Sequence, residues 1–246
     1  MRSIHDHEFA QFLIRIEDGN EPAKEDDMVK IPAKIVIPWE DESSIKKLIQ
    51  HTFPQLENHG WDASYMVERA ILTPQNCDVH MLNDMIINNF PGDEHILLSF
   101  DEVEGDTHNL YQQEYLHTIS PGTLPPHILK IKIRNLLDVE ILIGHNAGKR
   151  AFLPRIKLKT TDGARLPFVL IRKQFPVKLS FSITINKSQG QTIPNVGIYL
   201  PRHVFNHRQL LVALSRGVSW AATIVLIKDG KVEGGEGDYT KNIVFK

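Results

Sequence analysis

The chain has 246 residues, 41% of them hydrophobic and 24% charged, with a formal net charge of −2. That is ordinary globular composition, with length for one large domain or two small ones, and no apolar run reaches the length of a membrane span. A single cysteine, Cys77, excludes an internal disulfide and a thiolate metal cluster, and with an N-terminus that lacks a signal-peptide core it points to a reducing intracellular compartment.

In chain order, "HEFAQFLIRI" places Phe9, Phe12, Leu13 and Ile16 at helical spacing, ending at Asp18-Gly19. An acidic loop follows, then "VKIPAKIVIP", an extended segment that Pro32 and Pro38 keep off the middle of a sheet. Ser43 to Phe53 reads as a short helix with Ser43 or Ser44 as N-cap. In "ERAILTPQNCDVHMLNDMIINNF", Ala70-Ile71-Leu72 reads as a buried strand, Thr73 to Asn76 as a turn, and Val79, Leu82 and Ile86 as one face of a helix. Strand, polar turn and helix make the unit of an α/β sheet, which meets ligands at the strand's carboxyl end. Residues 92–120 look acidic and irregular, and short β runs with turn signals fill Pro125 to Phe175, as in a small antiparallel barrel or ribbon inserted between two α/β pieces. "LSFSITI" resumes the buried-strand pattern, "NHRQLLVALSRG" is helical and ends at Gly217, "AATIVLI" is a further buried strand, and the last dozen residues form a Gly-rich tail.

Charge is distributed unevenly. Residues 1–129 carry 8 lysines and arginines against 23 acids, a net of −15, whereas residues 130–187 carry 13 against 3, a net of +10. A segment that basic suits a polyanion path, because each neutralised phosphate releases counterions; the plainer reading is a solvated charged face.

Two stretches carry chemistry. "TINKSQGQT" is a strand-to-loop junction in which Gly190 permits close backbone approach to a ligand, Lys187 offers a point charge for phosphate, and Thr184, Ser188 and Gln189 offer neutral hydrogen bonds. In "VALSRG", Arg216 follows an apolar helical face of Leu210, Leu211, Ala213 and Leu214, which would hold it rigidly. Taken singly, the first reads equally as a polar surface turn and the second as a C-terminal arginine favoured by the helix dipole.

Together, in this order, they resemble motifs V and VI of superfamily 1 helicases, in particular the petite-integration-frequency family of 5′-to-3′ DNA helicases in its plant and Helitron-transposon versions. The residues that carry the resemblance are "KQFPVKLSFSITINKSQGQTIPNVGIYLP" and "VFNHRQLLVALSRGVS", supported by "HEFAQFLIRIEDG", "ERAILTPQNCDVHMLND", "LPPHILKIKI", "NAGKRAFLPRIKL" and "YTKNIVFK". The resemblance implies the second of two RecA-like domains, with an inserted small β-barrel. The implied boundaries are a connector over 1–27, RecA-like parts over 28–117 and 176–246, and the insertion over 118–175. It implies an arginine finger at Arg216, nucleotide contacts from Arg2, Gly190, Gln191, Thr192 and Arg216, and DNA contacts from Thr73, Asn76, Thr184, Asn186, Lys187, Ser188 and Gln189. A guanidinium aimed at charge developing in phosphoryl transfer is a large catalytic factor. ATP with Mg²⁺ is the implied cofactor, single-stranded DNA and a first RecA-like domain are the implied partners, and a nuclear or organellar address follows.

The chain departs from the family pattern in three ways. It contains no Gly-x-x-x-x-Gly-Lys-Ser/Thr loop and no Walker B acids, which belong to the first domain. "KIKIRNLLDVEIL" joins across a Gly- and Leu-rich stretch that the family carries, so the barrel is expected to be incomplete and residues 125–175 poorly packed. Arg208 stands where the family usually has glycine, and Leu211 where it has an aromatic. The expectation is the C-terminal part of a helicase, without turnover of its own; the alternative is a non-catalytic single-stranded-DNA-binding remnant or decayed transposon fragment.

Overall fold

The computed structural model describes residues 6–24, 27–108, 110–133, 138–142, 144–164, 166–233 and 235–244. Arg2 and the junction at 134–137 lie outside the described residues. The chain divides into two compact units, Met1–Asn89 with Ser180–Lys246, and Phe90–Leu179. The insertion therefore begins at Phe90, ahead of the expected 118. The segment expected to be a separate connector is built into the first unit, where Phe9, Phe12, Leu13 and Ile16 join its main core.

The first unit is a five-stranded parallel sheet in the order Ser182–Thr184, Arg69–Thr73, Asn195–Leu200, Thr223–Ile227, Val36–Ile37. Its strands read as near-continuous apolar runs because both faces are covered. Ala70, Leu72, Ile198, Leu200, Val225 and Ile227 share a core with helix His7–Asp18 and with Leu210, Ala213 and Leu214. Helix Ser43–Thr52 lies against the sheet at Gly197, where a Cβ would overlap Thr52 Oγ1 and press on Ile71 and Leu48. Asp6 caps helix His7–Asp18 by accepting from the Phe9 N–H at 3.1 Å, and Gly19 ends it at φ 67°, a conformation glycine adopts without strain.

Three expectations for this unit need correction. Ser43 and Ser44 lie inside their helix, whose N-cap is Glu42; the Ser44 hydroxyl accepts from the Glu40 N–H at 3.0 Å instead. "LSFSITI" contributes only Ser182–Thr184 to the sheet. The C-terminal tail is structured, with Asp238–Lys241 pairing antiparallel to Met28–Ile31, because "DYTK" follows the glycines with a β-compatible run that composition alone obscures.

The second unit holds a three-stranded antiparallel sheet, Ile156–Lys159, Leu170–Gln174 and Phe100–Val103, with two ribbons, Asp93–Leu98 with Ile128–Ile133 and Asp138–Glu140 with Arg150–Phe152. Among the described residues these sheets do not close into a barrel. Residues 92–120 are not irregular, since they supply two strands and helix Gln113–Thr118. Nor is 125–175 uniformly loose, since Leu129, Leu170, Arg172 and Gln174 are buried. Leu116, Leu124 and Leu170 form a small core flanked by Val103, Tyr111, Leu158 and Phe168.

Beside that core the Arg172 guanidinium is fully buried. It donates to both Asp101 carboxylate oxygens, at 2.8 and 2.6 Å, and to the carbonyls of Pro125 and Leu116 at 3.0 and 3.2 Å. The Ser99 hydroxyl donates to Asp101 at 2.8 Å. Ligand atoms of Asp101, His117 and His127 approach within 4.8 Å of one another, but the two imidazoles are stacked, with centroids 3.7 Å apart and planes 10° from parallel. Their in-plane lone pairs lie in separate planes, and Asp101 already accepts three hydrogen bonds, two from Arg172 and one from Ser99, so the trio is an ionic cluster rather than a convergent ligand set.

His127 is held below its ordinary pKa of 6.5, first by burial and then by His117 and Arg172, against the opposing pull of Asp101. A depressed histidine contributes stability above its unfolded value, lost as pH falls through its folded value. We therefore expect this unit to loosen as pH drops from 7 to 5. Hydrogen exchange over 113–133 should quicken, and His127→Gln should flatten the dependence.

Candidate nucleotide and DNA interface

Parallel pairing brings the two polar junctions together. Thr184 lies opposite Thr73 in register, so the loops that leave these strands emerge side by side at the carboxyl edge of the sheet. The order of strands across the sheet also switches direction here: from Arg69–Thr73 the next strand lies on one side, and from Asn195–Leu200 on the other. The crevice between two such strands is where open α/β sheets bind ligands.

The Ile185–Ser188 turn is a 3₁₀ helix. Ile185 and Ile193, both buried, pin the loop at its two ends, leaving Asn186, Lys187, Gln189, Gly190, Gln191 and Thr192 exposed between them. Gly190 sits at φ 87° with nothing within 4 Å of the space a Cβ would fill, so the chain is sterically uncovered on that side. Lys187 Nζ lies 3.5 Å from Asn76 Oδ1, which joins this loop to the exposed start of helix Asn76–Asn89.

Not every expected contact residue faces outward. Thr73, Thr184 and Ser188 are buried, and the Ser188 hydroxyl donates to the Ile185 carbonyl at 2.7 Å. These three support the loop from beneath, whereas Asn76, Asn186, Lys187 and Gln189 are the members of the predicted DNA set exposed to a ligand. Polar residue type could not separate the two groups: Thr73 and Thr184 still belong to strands covered on both faces, and the 3₁₀ turn carries Ser188 inward.

Arg216 brackets the loop. Its side chain is almost fully buried, and it donates to the carbonyls of Ser188 at 3.2 Å, Gln191 at 2.8 Å and Val212 at 3.0 Å, and to the Ser215 hydroxyl at 2.9 Å. Its own carbonyl accepts from the Ile193 N–H at 3.1 Å. A second tie runs through buried Gln209, whose amide lies 3.5 Å from Asn186 Oδ1 while its carbonyl oxygen accepts from Phe205 and Asn206 N–H groups at 3.1 and 3.4 Å. Gln209 was not singled out from sequence; an amide at the start of an otherwise apolar helical face was the available signal. Arg208, preceding helix Gln209–Leu214, holds φ 56°, the left-handed region that explains why a glycine suits this position.

Gly217 sets the height of this bracket. A Cβ there would collide with Thr223 Oγ1 and lie 3.1 Å from Val196 Cγ1. Thr223 cannot yield cheaply, because it is β-branched and its hydroxyl donates to the Ser219 carbonyl at 2.9 Å. Gly217→Ala should cost about 1–3 kcal/mol by overpacking, lowering the melting temperature by several degrees. Thr223→Ala in the same chain should recover part of the loss, and no shift from Gly217→Ala would show that the neighbours relax.

Next to the crevice, burial pushes the Asp78 carboxyl up, opposed by the Arg202 charge. Tyr199, buried in the adjacent strand, is pushed up to about 12, first by burial and then by Glu42 and Asp78. Asp6 is lowered by the Trp220 N–H it accepts at 3.0 Å, which fastens the first helix to the segment just past Arg216.

The donor set suits an anion. The exposed Gln191 and Thr192 beside Gly190 are residue types that meet phosphate oxygens, and the Arg216 guanidinium lies directly beneath them, engaged with the loop. These residues include no carboxylate, so they do not make a Mg²⁺ cage.

No family profile matches the chain. Among curated proteins, ATP-dependent DNA helicase PIF1 of Saccharomyces cerevisiae is 40% identical over 91 residues, covering 30% of this chain and 10% of the relative. ATP-dependent DNA helicase PIF1 of Danio rerio is 27% identical over 201 residues, 69% of this chain and 30% of the relative. Among solved structures, the Pif1 helicase from Candida albicans superposes with a TM-score of 0.57 at 20% identity, over 92% of this chain and 54% of that one. A structure of two coordinating Pif1 helicases unwinding forked dsDNA gives 0.52 at 16% identity, over 95% and 49%. The chain thus spans a minor part of its curated relatives and about half of the solved chains.

Proposed function

The chain is a relative of the Pif1-type superfamily 1 helicases, and we propose that it acts as the second RecA-like lobe of an ATP-dependent DNA-unwinding motor. The observation that carries this is the Arg216 bracket. One guanidinium grips the carbonyls of Ser188 and Gln191, so the residue that faces nucleotide and the loop that faces DNA are one mechanical piece. In this reading Gly190, Gln191, Thr192 and Arg216 take the nucleotide's terminal phosphate, while Asn76, Asn186, Lys187 and Gln189 hold the backbone of a single DNA strand. ATP supplies a scissile phosphoanhydride whose developing charge a guanidinium can stabilise. Arg2 is assigned to the same phosphate by family analogy. The setting is a DNA-containing compartment, nuclear or organellar.

The phosphate-cradling loop and its Mg²⁺ acids are not in this sequence, and the other RecA-like lobe is the partner that would bring them. Purified alone, the chain should show no ATP turnover, with or without single-stranded DNA. Turnover that Arg216→Ala abolishes would overturn the assignment of lobes. The chain should still bind single-stranded DNA weakly and without sequence preference. Lys187→Ala should weaken every sequence alike and flatten the log–log salt slope by roughly 0.7, the mark of one lost phosphate contact on a single strand. Absence of binding even at low salt would remove DNA from the proposal.

A further inference from the structure

We propose that the second unit carries its own single-stranded-DNA site, on the outer face of its three-stranded sheet, centred on Phe100 and Lys173. The inference rests on the reading of the chain as DNA-binding but concerns residues outside the motif V and VI loops.

The strand path from Asp93 to Val103 alternates strictly near its middle: Ser99 and Asp101 turn into the core, whereas Leu98, Phe100 and Glu102 face out. Phe100 is 67% exposed, a large apolar ring left in solvent, and Ile96, Leu98 and Ile128 extend the exposed stripe. In register across the sheet stand Phe100, Lys173 and Lys157. Two lysines directly opposite one another repel. Glu102 neutralises Lys157 at 2.6 Å, but among the described residues Lys173 has no ion-pair partner. Arg155 completes the arrangement, its guanidinium 5.9 Å from the Phe100 ring centroid and 5.1 Å from that of Phe175.

An exposed ring beside unneutralised cations is complementary to one kind of polymer. Single-stranded DNA alternates flat apolar bases with anionic phosphates, so a base can stack on Phe100 while Lys173 and Arg155 meet the phosphates on either side. An acidic protein segment would satisfy the lysine but leaves the ring face without a flat partner. The positive charge is local to this face, since residues 90–179 as a whole carry 12 lysines and arginines against 10 acids.

The test uses the full chain and a labelled oligothymidylate. Phe100→Ala should weaken binding about tenfold, and Lys173→Ala should flatten the log–log salt slope by roughly 0.7, the value for one phosphate on a single strand. An oligonucleotide carrying 5-iodouracil should photocrosslink to the peptide that contains Phe100. The exposure of Phe100 makes misfolding of these variants avoidable, and an unchanged thermal melt verifies it. If the chain binds DNA but crosslinks only near Lys187, with Phe100→Ala at wild-type affinity, the second site is wrong while the proposed function stands. If Phe100→Ala instead dissolves a dimer without changing DNA affinity, the face is a self-interface and the inference is overturned. If the wild-type chain binds no DNA, both fall together.

Discussion

Joined to a lobe that carries a phosphate-binding loop, this chain should support DNA-stimulated ATP turnover that Arg216→Ala lowers about 10³-fold or more, the usual worth of an arginine finger. The variant should leave nucleotide affinity much less affected, since the guanidinium acts on charge that develops only in the transition state. Arg216→Lys should not rescue it. The side chain serves four acceptors at once, on Ser188, Gln191, Val212 and Ser215, and an ammonium on a flexible stem cannot reproduce that planar fork. Steady-state turnover with and without oligonucleotide decides the point; an Arg216→Ala motor within a few-fold of wild type would move the catalytic role elsewhere.

The largest structural effect is expected at Asp101. Removing one partner of a buried ion pair costs about 3–5 kcal/mol, because the other charge is left unpaired. A unit of this size has only about 5–10 kcal/mol in hand. Asp101→Ala should therefore leave the Arg172 guanidinium stranded among the Pro125 and Leu116 carbonyls, and exchange protection over 100–103 and 170–174 should collapse. The strands Arg69–Thr73 and Asn195–Leu200 serve as the internal reference. Replacing both partners by apolar residues, Asp101→Leu with Arg172→Met, should restore most of the protection. If Asp101→Ala keeps its protection, the pair contributes little to the fold.

The contrast between the two units explains what could be read in the sequence. Parallel strands covered on both faces are written as uninterrupted apolar runs, so "RAILT" and "TIVLI" announced themselves, as did the helix whose Phe9, Phe12 and Ile16 repeat at helical spacing. The insertion is organised differently. Its strand Phe100–Val103 is "FDEV", acidic to the eye, and acquires its place only because Asp101 meets Arg172, 71 residues away. Long-range ionic pairing leaves no periodic trace, and the stretch read as irregular for that reason. At the candidate site, residue types singled out two loops that the parallel pairing of Thr73 with Thr184 brings side by side. What they could not supply was depth: Thr73, Thr184 and Ser188 look like ligand contacts in one dimension and are buried supports in three.

Arg216 also fixes how two ligands must influence one another. An anion that draws the guanidinium outward has to loosen its hold on the Ser188 and Gln191 carbonyls, altering the loop that carries Lys187. By thermodynamic reciprocity, whatever factor nucleotide imposes on the affinity for a DNA strand, the strand imposes on the affinity for nucleotide. If the chain binds both ligands as proposed, one side chain makes the two binding constants a single coupled quantity. Measuring either ligand in the presence of the other, in wild type and in Arg216→Ala, reads the coupling directly, and in the variant the product of the two separate affinities should simply equal that of the pair.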